Sequence, residues 1–324
     1  MKHFLFFILV AVHVSGMNFI EAMGGEKLYW QYMQTKEDRF LSQNLQDHYL
    51  QQKQGDSIEK ILHFVWLDDQ KPSKVDKKIF FRWAKAHPSW KVYFWTNKKQ
   101  FFLKNRNIQD RLIDKNFSPF YQRSTNWYEK ENLLKYHLLY EIGGIVLSRH
   151  VIYQKPLEDL IKNKNFFCVI EPLDYHFSGS SILLSTQIIG AKKKHPIMQC
   201  CQNLIEKNWS YYALSFPEQD MESMEYKADF RTQRPFTLAY VEEKALCDWV
   251  FPSAYFYEGY ARVPIFAKVP QNISKVRISD SYEMKTLKEV KKFNYRLRLF
   301  LFLNISFVLL AFGLLIINRK RSHK

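Results

Sequence analysis

Gly143-Gly144-Ile145-Val146-Leu147-Ser148-Arg149-His150-Val151 lies near the middle of the chain, and its reading decides the fold. The run before it is Glu131-Asn132-Leu133-Leu134-Lys135-Tyr136-His137-Leu138-Leu139-Tyr140-Glu141-Ile142. Leu134, Leu138 and Ile142 recur there at helical spacing, with Leu133 and Tyr140 beside them, so the run reads as an amphipathic helix. Gly143-Gly144 ends the helix, because glycine takes the left-handed C-terminal conformation at little cost. Ile145-Val146-Leu147 is then a short buried strand. Ser148, Arg149 and His150 emerge at its carboxyl end, where open α/β sheets place their ligand sites.

Working outward, Ile61-Leu62-His63-Phe64-Val65-Trp66-Leu67 is a continuous apolar run of strand length, the mark of a central parallel strand. Asp68-Asp69-Gln70-Lys71-Pro72 forms the loop at its carboxyl end. Val75 to His87 reads as a helix with Ile79, Trp83 and Ala86 on one face, stopped by Pro88. Trp90-Lys91-Val92-Tyr93-Phe94-Trp95 is a second strand, and the strand, helix, strand order implies a parallel crossover. Phe166-Phe167-Cys168-Val169-Ile170 is a further strand, and a helix runs from Ile197 to Glu206. Residues 26–54 carry no strong apolar run and read as one or two polar-faced helices ahead of the core. His63 reads as a core histidine satisfied inside its strand.

The chain has 324 residues, 47% of them hydrophobic, enough for one catalytic-size domain with appendages. An aromatic content of 17% excludes a disordered protein. The net charge of +16 favours phosphate-bearing ligands or anionic membrane surfaces. The largest basic cluster flanks an apolar segment, which argues against nucleic acid. Lys2-His3, then Phe4 to Val14, then Ser15-Gly16 reads as a signal peptide or anchor over 1–16. Leu299 to Ile317 is long enough to span a bilayer as a transmembrane helix, and 318–324 is a basic cytoplasmic tail. Between them lie a helical extension over 17–57 and the main domain over 58–290. The expectation is a single-pass membrane protein with this domain on the lumenal or extracytoplasmic side. Cys168, Cys200, Cys201 and Cys247 lack zinc-finger spacing, and both a disulfide and buried free thiols stay open.

The helix, Gly-Gly and strand resemble the signature of the family 32 glycosyltransferases. These are DxD-type sugar transferases that include yeast mannosyltransferases and are similar to clostridial glucosylating toxins. His63-Phe64-Val65-Trp66, Trp83…Pro88-x-Trp90-x-Val92…Trp95, Lys155-Pro156-Leu157, His195-Pro196, Arg234-Pro235-Phe236-Thr237 and Val250 to Tyr257 extend the resemblance over about residues 58–260. It implies a GT-A fold, a Rossmann-like α/β sandwich with a mixed central sheet. It also implies retaining transfer of a hexose from a UDP- or GDP-sugar to a glycan, lipid or protein acceptor. Trp66 matches an aromatic that relatives place against the nucleotide base. Asn132 and Lys135 stand where the family has Asp and Arg, and Gly144 and Ser148 complete the implied nucleotide-sugar site.

The chain departs from the family where the chemistry sits. Ser148 and His150 occupy the places of the two metal-binding aspartates, so the DxD motif is degenerate. Two such carboxylates would hold Mn²⁺ or Mg²⁺ against the diphosphate. A hydroxyl is a weak ligand, Arg149 repels a cation, and His150 suits softer metals. No metal cofactor is therefore expected unless Asp68, Asp69 or His150 rescues the site. Two readings remain open. Arg149 or a protonated His150 replaces the metal in a metal-independent transferase, with both as catalytic residues. Alternatively, the chain is a catalytically inactive pseudo-glycosyltransferase that acts by binding or scaffolding.

Overall fold

The computed structural model describes residues 36–51, 53–171, 182–215, 224, 227–245, 247–253, 256 and 267–268. They fall within a compact unit spanning Met1–Arg277, and a second unit, Ile278–Lys324, lies outside the described residues. A helix, α1 (Lys36–Gln51), precedes the core and buries Leu41 and Leu45. Then follow β1 (Ile61–Trp66), α2 (Lys74–Ala86), β2 (Lys91–Thr96) and the short β3 (Gln109–Leu112). Ser73 caps α2: its hydroxyl accepts from the Asp76 amide while the Asp76 carboxylate accepts from the Ser73 amide. The single turn and a half of α3 (Pro119–Arg123) leads into α4 (Trp127–Glu141) and β4 (Gly144–Leu147). The second half contains β5 (Ile152–Tyr153), α5 (Glu158–Ile161), β6 (Phe166–Val169), β7 (Ile188–Ala191) and α6 (Pro196–Ser215). A π-helical turn (Asp229–Gln233) runs into α7 (Arg234–Glu243), followed by β8 (Asp248–Phe251) and β9 (Ala267–Lys268).

The main sheet has seven strands in the order β3-β2-β1-β4-β7-β6-β8, and β5 pairs β9 in a separate antiparallel ribbon. Only β7 runs against its neighbours, so the sheet is mixed, as the family resemblance implies. The chain leaves β1 toward β2 and β3, then returns to lay β4 on the other side of β1. That reversal opens a crevice at the carboxyl ends of β1 and β4, the usual ligand position in such sheets.

Alternating strand residues feed two cores. Leu62, Phe64 and Trp66 of β1, with Ile145 and Leu147 of β4, pack on α2 through Phe80, Trp83 and Ala84. Val65 and Val146 face the other way, toward Leu133, Tyr136 and Leu139 of α4 and the buried faces of α6 and α7. Helix α4 is not the amphipathic helix expected. Glu129, Asn132 and Lys135 are buried along with its leucines, because α4 is enclosed by the sheet, α6 and the π-helical turn. Polar residues survive there because partners are built in. Arg231 Nη1 lies 3.1 Å from Glu129 Oε1, and the Ser124 hydroxyl donates to Glu129 Oε2 at 2.6 Å.

The membrane part of the sequence reading is corrected. No helix among the described residues is long and apolar enough to cross a membrane. The longest, α6, carries Glu206 and Lys207 and uses its apolar side for the core. The apolar segments over 1–16 and 299–317 lie outside the described residues. The described fold therefore contains no transmembrane helix, which corrects the expected fold and single-pass topology to that extent, while the lumenal domain and membrane partner rested on the same segments outside the described residues.

Gly144 sets the spacing of β1 and β4, and Gly143 before it closes the helix. Gly143 and Gly144 have φ of 77° and 99°, conformations that side chains disfavour. Gly143 donates to the Leu139 carbonyl at 3.0 Å and ends α4, as the sequence indicates. A Cβ on Gly144 would stand 2.7 Å from the Ile61 carbonyl oxygen and 2.8 Å from the Ile61 Cβ. Gly144→Ala is expected to lower stability by at least about 2 kcal/mol, read as a lower urea midpoint at unchanged slope. An unchanged midpoint would show that β1 and β4 have room to separate.

Candidate functional site at the ends of strands 1 and 4

After Leu147 the backbone turns sharply. The Ser148 amide donates to the Gln187 carbonyl at 2.9 Å, and the Val151 amide donates to the Ser148 carbonyl at 3.0 Å. This turn carries Arg149 over the end of β1. Its guanidinium carbon lies 5.2 Å from the Trp66 ring centre and 5.9 Å from that of Trp127, at the start of α4. Arg149 Nη1 pairs with Asp68 Oδ2 at 2.9 Å, and Nε donates to His150 Nε2 at 2.9 Å. An accepting ring nitrogen carries no proton, so His150 is neutral in this arrangement.

Asp68 belongs to the loop after β1. Its Oδ1 accepts from the Gln70 amide at 2.9 Å, closing a local turn, while the Trp66 indole donates to the Gln70 carbonyl at 2.8 Å. Partial burial opposes ionisation of Asp68, but the Gln70 amide and the Arg149 guanidinium outweigh it and hold the carboxyl below its usual range. The Arg149 and Asp68 side chains are 28% and 37% exposed, so solvent limits this pair to about 1 kcal/mol or less.

Lys135 reaches the same strand end from below. Its side chain is 2% exposed, and its ammonium contacts Glu131 Oε1 at 2.6 Å, Ser148 Oγ at 2.8 Å and the Thr186 carbonyl at 3.1 Å. Those contacts use the three ammonium donors. Asn132 turns toward the π-helical turn instead, where its amide donates to Thr232 Oγ1 at 2.9 Å. Thr232 in turn donates to the Ala228 carbonyl, and the Tyr136 hydroxyl donates to the Thr232 carbonyl. Gly144 begins β4, about 13 Å along the strand from Ser148, and its place is fixed by packing on Ile61 and His63.

The structure therefore brings Trp66, Arg149, His150, Ser148 and Lys135 to one end of the sheet and leaves Asn132 and Gly144 apart from them. Sequence reasoning missed Trp127, whose place over Arg149 depends on where α4 starts. It also gave Asp68 as a loop residue that could rescue a metal. The cap of α2 is Ser73, and Asp68 is the counter-ion of Arg149.

A divalent metal does not fit this set. Among the described residues no group of three or more His, Cys, Asp and Glu is placed to hold one. Asp68 is occupied by a guanidinium. Asp69 points into solvent, 95% exposed, with Lys98 at 2.9 Å. A Mn²⁺ or Mg²⁺ ion would have to enter beside Arg149 with no second carboxylate converging on it. The four cysteines are free thiols.

His63 ties β1 to the start of β4, away from the site. Its Nε2–H donates to the Gly143 carbonyl at 2.8 Å, and its Nδ1 accepts from the Trp95 indole at 3.1 Å. The sequence reading of a satisfied core histidine holds.

The chain's central region is similar to that of sugar transferases. Residues 73–167 match the family described as "Glycosyltransferase sugar-binding region containing DXD motif", a stretch from α2 to the start of β6 that includes Gly143 to His150. Over 133 residues the chain is 25% identical to Inositol phosphoceramide mannosyltransferase 1 of Schizosaccharomyces pombe. That match takes in 40% of this chain and spans only 37% of the relative's length. Among solved structures, PaToxG glycosyltransferase aligns with a TM-score of 0.45 at 16% identity, covering 67% of this chain and 80% of its own. The galactosyltransferase LgtC, solved with donor and acceptor sugar analogs, aligns with a TM-score of 0.37 at 11% identity, covering 64% and 86%. These structural alignments carry no residue assignment. The fold is an α/β sandwich with a mixed central sheet, and its central region is similar to the sugar-binding region of glycosyltransferases.

Burial pushes His63 down to about 4 from its ordinary 6.5, so it stays neutral in the folded chain where an unfolded histidine is charged. Its contribution is fully present above pH 6.5 and is lost as pH falls toward 4, on the order of 3 kcal/mol in all. His48, His87 and His137 are lowered in the same direction, chiefly by burial. Urea midpoints should therefore fall steadily from pH 7 to 4, and His63→Gln should remove about one proton from the slope. An identical slope in the variant would place His63 in contact with solvent.

Proposed function

We propose that this chain is a catalytically silent relative of sugar transferases that keeps the strand-end site for binding rather than for transfer. One observation carries the reading: the charged groups at the ends of β1 and β4 neutralise one another. Arg149 is held by Asp68, and Lys135 by Glu131. Transfer from a nucleotide sugar requires positive charge aimed at the departing diphosphate. Here the buried ammonium is saturated, the guanidinium faces a carboxylate, and His150 is an acceptor. The matched sugar-binding region and the mannosyltransferase likeness support a UDP- or GDP-sugar, or the glycan, lipid or protein end of an acceptor, as the ligand class. Metal-independent transfer through Arg149 and His150 is the weaker reading, because both side chains are already engaged.

The test is release of UDP or GDP from their hexose conjugates by the full chain, with Mn²⁺, with Mg²⁺ and in EDTA. Release no greater than the protein-free blank is expected in all three. Release that scales with protein concentration would contradict silence, and its survival in EDTA would establish the metal-independent route. The double variant Ser148→Asp with His150→Asp is also expected to stay silent. A carboxylate at position 148 would meet the Lys135 ammonium, which already lies 2.8 Å from Ser148 Oγ. Metal-dependent hydrolysis by that variant would show that Lys135 yields its place to a cation.

A further inference from the structure

Among the described residues, Arg149 is the cation of the site with donors to spare. Nε is taken by His150 and one Nη1 hydrogen by Asp68, while Nη2 has no acceptor among the described residues. The guanidinium lies over the indole rings of Trp66 and Trp127. Its carboxylate partner is a short side chain on a loop, 37% exposed. Lys135 differs on each count, being buried and saturated. Any anion that enters the crevice must therefore be received by Arg149, and Asp68 already stands where its oxygen would go.

We propose that Asp68 is an internal competitor for an anionic, phosphate-bearing ligand of this site, setting the site's affinity by occupying Arg149 when the ligand is absent. This rests on the binding reading above and names the chemistry bound: a diphosphate taken by the guanidinium without a metal. A diphosphate offers several oxygens to the planar guanidinium and can engage Nη1 and Nη2 together, which Asp68, meeting Nη1 alone, does not. Binding replaces the carboxylate on Arg149 and releases it to solvent. The carboxylate also repels the ligand while it remains nearby, so it lowers affinity in both states. The second acid of the loop, Asp69, pairs with Lys98 and leaves Arg149 alone.

The experiment is a titration of the full chain with inorganic pyrophosphate in EDTA, by calorimetry and by tryptophan fluorescence, since Arg149 lies over two indoles. Asp68→Asn removes the charge and keeps the oxygen that accepts from Gln70. It is expected to bind at least about tenfold more tightly than the parent chain, the scale on which a charged partner is exchanged for a neutral one. Arg149→Gln in either background is expected to abolish binding. Asp68→Ser is the second variant should the first fail to fold, judged by its thermal transition. Equal or weaker binding by the charge-removed variants, with Arg149→Gln still inactive, would overturn the competition by Asp68 and leave the binding reading standing. No binding by any variant would overturn both. Because pyrophosphate carries no sugar, a parent chain that does release UDP or GDP from a donor would end the claim of silence without touching this result.

Discussion

Everything at the site depends on the close approach of β1 and β4. The two strands lie side by side because Gly144 has no Cβ to press on Ile61, and because His63 of β1 donates to the Gly143 carbonyl across the gap. Their pairing, Leu62 with Ile145 through Phe64 with Leu147, brings Trp66 and Asp68 level with Ser148 and Arg149. The chain reverses direction across the sheet at this pair, so no crossover helix covers its carboxyl end. A site there is a result of topology before any particular side chain is considered.

What fills the crevice is a set of paired charges. A cation left alone in a partly buried place costs free energy, and so does a lone carboxylate. The chain answers with Asp68 for Arg149 and Glu131 for Lys135. Each pair makes the fold self-consistent, and each removes a charge that a reacting diphosphate or a metal would need. The two pairs are unequal. Lys135 is enclosed among α4, β4 and the loop before β7, whereas Arg149 and Asp68 meet at the rim in partial contact with water. Stability resides in the first pair, and any response to a ligand resides in the second.

Much of this was legible in the sequence. The apolar run Ile61–Leu67, the Gly-Gly break and the strand, helix, strand order gave the buried strands and their parallel crossover, because buried strands have few alternatives. Helix α4 was misread as amphipathic, since Glu129, Asn132 and Lys135 look like a solvent face until their distant partners Arg231, Thr232 and Thr186 are known. The edge strand β3 was missed for the opposite reason: Gln109-Asp110-Arg111-Leu112 has no apolar pattern and is held by pairing with β2. Ser148, Arg149 and His150 were placed correctly at a strand end. The identity of their partners was not legible, because Asp68 and Trp127 are brought to them only by the sheet order and the start of α4. A transmembrane span formed no part of the described fold, and hydropathy over 299–317 speaks only to residues outside it.

Arg149 holds the place of a cation, and no carboxylate pair among the described residues remains to bind one. The most direct measurement is the electron paramagnetic resonance signal of hydrated Mn²⁺ titrated with the full chain, alone and with UDP or GDP present. The signal is expected to fall no further than the nucleotide alone makes it fall. A stoichiometric, protein-dependent loss of the signal would contradict it, and would mean that Asp68 leaves Arg149 to serve a metal.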